Sequence, residues 1–89
     1  MKKRVSISLE LSGDSLERRC DFLDRWFRHH EAVRVMPTQW ILLTSLTVSE
    51  IRREVQSYID PADRLLVSQV ASMSYRNLIN ADKFGRGAA

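Results

Sequence analysis

The sequence predicts an α+β fold, a four-stranded antiparallel sheet with two helices packed on one face. Three observations predict it. Residues 4–11 alternate apolar and polar side chains, as a half-buried strand does. Apolar residues then recur at helical spacing through Leu16, Cys20, Leu23, Phe27 and His30, and again through Val48, Ile51, Val55, Tyr58 and Ile59. The connection between "AVRVM" and "QWILLTSL" is so short that the two segments must form an antiparallel hairpin.

Each element has a local reason. In strand one, Val5, Ile7, Leu9 and Leu11 point one way, and Arg4, Ser6, Ser8 and Glu10 the other. "SGDS" breaks the strand, and Asp14 with Glu17 can cap a helix over about residues 15–30. Asp21 with Arg25, and Asp24 with Arg28, are i,i+4 pairs on its wet side. "AVRVM" is strand two, "PTQ" the turn and "QWILLTSL" strand three. Thr47 and Glu50 form a second capping box, which starts helix two, and "DPAD" ends that helix. "RLLVSQVAS" is strand four, and "SYRNLI" can add a short fifth strand. The domain spans residues 1–80, and residues 81–89, small and polar, read as a mobile tail.

The order βαββαβ is the ferredoxin-like arrangement, with strands one and three in the middle of the sheet. The two helical stripes cover the face that carries Val5, Ile7, Leu9 and Leu11. Strand three then poses a difficulty. Trp40, Ile41, Leu42 and Leu43 are apolar on both sides. With Ile41 and Leu43 beneath the helices, Trp40 and Leu42 fall on the open face beside Ser6 and Ser8. A second copy of the chain, its sheet stacked at about 10 Å, would cover them. The expected dimer interface is Ser6, Ser8, Trp40, Leu42 and Tyr75, the last within a terminal segment that reaches the partner.

Composition narrows the class. An 89-residue chain with 44% hydrophobic and 28% charged residues is one globular domain with a modest core. No apolar run approaches the roughly 20 residues of a membrane span, and the first residues lack a signal peptide's apolar segment. The expected location is the cytoplasm. One cysteine, Cys20, excludes an internal disulfide. The net charge is +3, and 11 of the 14 basic residues are Arg, whose planar fork suits phosphate. The balance permits a nucleic-acid partner. Arg4, Arg34, Arg52, Arg53 and Arg76 are the candidate phosphate contacts, scattered in sequence until the fold gathers them.

Several segments, in this order, carry a resemblance. "VSISLEL" is an apolar strand ending in an acid. "TQWILLTSLTVSEIRREV" runs a Trp-bearing strand into a helix. "DRLLVSQV" is a last core strand after Asp, and "SYRNLI" a short terminal segment. Together they resemble the small CRISPR-associated adaptation subunit (CRISPR-associated protein two) and its SinR-like and VapD-related relatives, over about residues 4–79. The resemblance implies a homodimer with facing sheets, DNA or RNA as ligand, and a terminal segment that crosses to the partner. It also implies a catalytic and metal-binding role for Glu10, with Mg²⁺ or Mn²⁺ as cofactor. Family members with proposed nuclease activity carry Asp at that position. Glu still offers oxygen to Mg²⁺, but its extra methylene moves the carboxylate.

The other reactive side chains have plainer roles. Asp14 reads as a helix cap, and Asp60 and Asp63 as turn residues. His29 and His30 are adjacent on a helix, diverge by about 100° and are poorly placed to share a metal. Cys20 lies in an apolar stripe. Phe22 and Trp26 read as sheet-edge packing, with a protein contact as the alternative. Two functions follow. One is a dimeric nucleic-acid-associated protein, with metal-dependent cleavage left open. The other is a non-enzymatic ferredoxin-like dimer that regulates or scaffolds a protein partner.

Overall fold

A computed structural model of the chain describes residues 2–12, 23 and 25–80. In chain order the elements are β1 (Lys3–Glu10), a first helix whose described residues are Leu23 and 25–28 (α1), β2 (Ala32–Met36), β3 (Gln39–Thr44), α2 (Val48–Gln56) and β4 (Arg64–Gln69). The four strands form one antiparallel sheet in the order β2-β3-β1-β4. This architecture is compatible with a ferredoxin-like arrangement. Residues 70–80 take no regular secondary structure, so the expected fifth strand is not present there.

The core lies between the sheet and the helices. Val5, Ile7 and Leu9 of β1, Leu23 and Phe27 of α1, Trp40 and Leu42 of β3, and Ile51 and Val55 of α2 form one buried cluster. Trp40 is fully buried, and its ring lies 4.8 Å from that of Phe27. Two predicted stripes are thus seen at Leu23 and Phe27 and at Ile51 and Val55. Tyr58 is the exception on the second stripe. It is 43% exposed, because α2 closes at Gln56, before Tyr58 is reached.

The facing of β3 is a correction. Ile7 pairs with Trp40 and Val5 with Leu42 across the ladder. Directly paired residues share a face, so Trp40 and Leu42 lie beneath the helices with Val5 and Ile7. Ile41, beside Ser6, and Leu43, beside Arg4, take the open face. Trp40 and Leu42 are core residues, and the expectation that they meet a partner chain does not hold. The physical reason is volume: the bulky indole fills the space over the sheet opposite Phe27.

The start of α2 is as expected. Thr47 accepts from the Glu50 backbone N–H at 3.1 Å, and the Glu50 carboxylate accepts from the Thr47 N–H at 3.0 Å. The helix ends into the "DPAD" turn, where Asp63 holds the chain. Its carboxylate accepts from the Asp60 N–H at 2.7 Å and from the Ser12 N–H at 2.7 Å, tying the end of β1 to the approach to β4. Asp60 and Asp63 thus do the turn work expected of them. Asp14, Leu16, Glu17, Cys20, Asp21, Phe22, Asp24 and the tail 81–89 lie outside the described residues.

Candidate functional site

The open face of the sheet is covered in part by the chain itself. Val70 N–H donates to the Arg4 carbonyl at 2.9 Å and extends the pairing of β4 with β1. From there the chain crosses to the far edge. Ile79 N–H donates to the Val35 carbonyl at 2.9 Å, and Asn80 Nδ2 to the Arg34 carbonyl at 3.1 Å. Both acceptors sit at an irregularity of β2, where the register shifts between Arg34 and Met36. A bulge leaves a residue unpaired with its neighbour strand, and the crossing segment takes up its carbonyl. The reversal uses positive φ at Asn77 (57°) and Asn80 (56°), a conformation Asn tolerates. Within one chain, "SYRNLI" lies against its own sheet.

Between this segment and the sheet lies a cleft of about 650 Å³. Ser6, Gln39 and Ser68 supply a polar floor, and Val35 and Ile41, both almost fully buried, an apolar side. Ser6 and Ser68 are direct cross-strand partners. Gln39 Nε2 donates to Ser6 Oγ at 2.9 Å. Tyr75 and Arg76 line the cleft from the crossing segment, and both are exposed. Of the expected interface residues, Ser6 and Tyr75 come together here. Ser8 sits further along β1, paired with Leu66 of β4.

Glu10 ends β1 opposite Arg64 of β4. The Arg64 guanidinium lies 3.2 Å from its carboxylate, and both side chains are largely exposed. The neighbouring lining of this shallow site is Ser8, Leu9, Leu65 and Leu66, which adds no carboxylate or imidazole. Among the described residues no group of three or more His, Cys, Asp or Glu side chains is placed to hold a metal ion. Within one chain, a lone carboxylate already facing a guanidinium does not fit Mg²⁺ or Mn²⁺, which take several oxygen ligands. Nothing in the sequence marks Arg64 as the partner of Glu10. Its pairing depends on the β1–β4 register, which is tertiary information.

The candidate phosphate contacts do not converge on one surface. Arg52 and Arg53 are exposed on α2, over the helix-covered side. Arg52 donates to Gln56 Oε1 at 2.9 Å. Arg34 pairs with Trp40 in the ladder and so shares that side. Arg4 lies on the open face, opposite Leu43, and Arg76 at the cleft. On the helical side, Trp26 packs its ring against Phe27, His30 and Tyr58, with centroids 4.8, 4.5 and 5.4 Å away. Trp26 and His30 thus serve helix packing. Among the described residues no helix is long and apolar enough to cross a membrane.

Fold and site define a small α+β protein whose open sheet face is roofed by its own C-terminal segment over a partly polar cleft. No protein-family model and no curated protein matches the chain.

Proposed function

We propose that the chain is a nucleic-acid-associated protein that works as a homodimer of ferredoxin-like domains and holds the backbone of DNA or RNA without reading sequence. The observation that carries this reading is the exposure of arginine. Arg52, Arg53, Arg64 and Arg76 all stand at the surface of a chain with net charge +3. Arginine forks match phosphate oxygens, and phosphate contacts carry no base information. The resemblance to the CRISPR-associated protein two group supports the same ligand class. Cleavage through Glu10 and Mg²⁺ or Mn²⁺ is left open: within one chain Glu10 pairs with Arg64, and a metal site there needs the Glu10 of a second copy as well.

The test is a titration of DNA and RNA, duplex and single-stranded, at a series of salt concentrations. Scrambled sequences should bind alike. For duplexes, affinity should fall by about 0.9 log unit per log unit of salt for each phosphate neutralised. Absence of binding to every nucleic acid at low salt would end this reading and favour the dimer that regulates or scaffolds a protein.

A further inference from the structure

A segment that roofs a sheet ordinarily seals it with apolar side chains. Here the roof leaves a cleft whose floor carries Ser6, Gln39 and Ser68 while Val35 and Ile41 line its side. A volume near 650 Å³ is in the range of small-molecule sites, and an apolar wall with a few convergent polar groups is their usual make-up.

The polar groups have a particular form. Ser6 Oγ takes one hydrogen of Gln39 Nε2 and fixes the carboxamide. A carboxamide has two N–H donors and a carbonyl acceptor. One donor therefore remains, and among the described residues Gln39 Oε1 accepts no hydrogen bond. A donor beside an acceptor, in one plane, complements the edge of a nucleobase. Tyr75 brings an aromatic ring to the same cleft, and Arg76 follows it with a guanidinium. A ring, a carboxamide and a cation match the three parts of a nucleotide: base face, base edge and phosphate.

The rest of the sheet limits the number of bases. RNA-binding sheets that stack two or three bases carry aromatic residues on their strands. The open-face residues here are Arg4, Ser6, Ser8 and Glu10 on β1 and Gln39, Ile41 and Leu43 on β3, with Arg64, Leu66 and Ser68 on β4. None is aromatic, so the strands offer no platform for successive bases.

We propose that this cleft binds one nucleoside 5′-phosphate unit, its base against Tyr75 and Gln39 and its phosphate toward Arg76. The proposal rests on nucleic acid as the ligand class and narrows it to an unpaired nucleotide. Such a unit comes either as a free mononucleotide or as one unpaired residue of a strand.

The experiment is amide chemical-shift mapping on the full chain. The probes are the four ribonucleoside 5′-monophosphates, single-stranded octaribonucleotides, and a blunt duplex as contrast. The expected result is saturable shifts at residues 6, 39–41, 68 and 72–78. Gln39→Leu and Tyr75→Ala should each weaken binding by about tenfold, in line with the loss of one stacked or paired base contact. Equal affinity for mononucleotide and octamer identifies the free nucleotide as ligand, and tighter octamer binding identifies the strand. No saturable shift with any mononucleotide or single strand overturns the inference, as do shifts confined to other residues. Full affinity in both variants overturns it as well. Duplex binding that leaves the cleft unshifted overturns it while the backbone-binding reading stands; silence with all probes defeats both. Should a variant fail to fold, the wild-type map decides alone.

Discussion

Trp40 shows how a single side chain settles the facing of a strand. Fully buried and in contact with Phe27, it belongs to the helix-side core. Trp40→Ala should therefore lower stability by about 3–5 kcal/mol, the usual result of truncating a buried aromatic. Urea denaturation measures it, and a loss below 1 kcal/mol would contradict the burial. Trp40→Arg should unfold the chain, where an interface position would have given a folded monomer. Glu50 gives a residue-scale prediction in pH. The Thr47 backbone N–H, then the Thr47 side chain, holds its carboxyl below the usual carboxylate range, with Arg53 and Lys3 as lesser aids. A carboxyl depressed in the folded state adds stability above its unfolded pKa and loses it as pH falls through the folded value. Wild type should thus exceed Glu50→Gln in stability at neutral pH, and the gap should close in acid. A gap that stays constant from pH 7 to pH 2 would mean that the charge on Glu50 does nothing for the cap.

At the scale of elements, what could be read depended on whether a pattern had one phase or two. β1 alternates strictly, so its buried side was legible, and the Thr47–Glu50 box marked the start of α2 to the residue. β3 is apolar at four successive positions, so periodicity alone fixes no phase, and a one-residue slip exchanges its faces. The pairing of Ile7 with Trp40 decides it, and that is tertiary information. The Arg64–Glu10 contact was hidden in the same way, since it needs the β1–β4 register. The crossing segment was the least legible part. It lacks a strand's alternation, and its role depends on two carbonyls freed by the irregularity of β2. If it roofs the sheet, ending the chain after Ser72 should uncover Val35 and Ile41. Burying a side chain of that size contributes about 1.5–3 kcal/mol, so uncovering the two should lower stability by about 3–6 kcal/mol in urea denaturation. An unchanged midpoint would show that the segment does not dock in solution.

On the scale of the whole molecule, the question is whether the remaining open face meets a second copy. Trp40 and Leu42 are buried and offer nothing to a partner. On the open face outside the cleft, Leu66 is 64% exposed and Leu43 42% exposed. Single exposed apolar residues are ordinary on a monomer, so the dimer has to rest on these acting together. A stable interface needs about 800 Å² from each partner, which the sheet face around Leu66 and Leu43, outside the cleft, has to supply. Leu66 is the place to test this, because its exposure makes it free of core packing. Leu66→Arg should leave the circular dichroism spectrum unchanged and convert a dimer to a monomer in light scattering at micromolar concentration, with the urea midpoint falling as the stabilisation by assembly is lost. The same change adds a positive charge, so a monomer that still binds nucleic acid would separate assembly from phosphate contact. A wild-type chain that is already monomeric at that concentration would end the dimer proposal and leave the arginines of a single chain to hold the backbone.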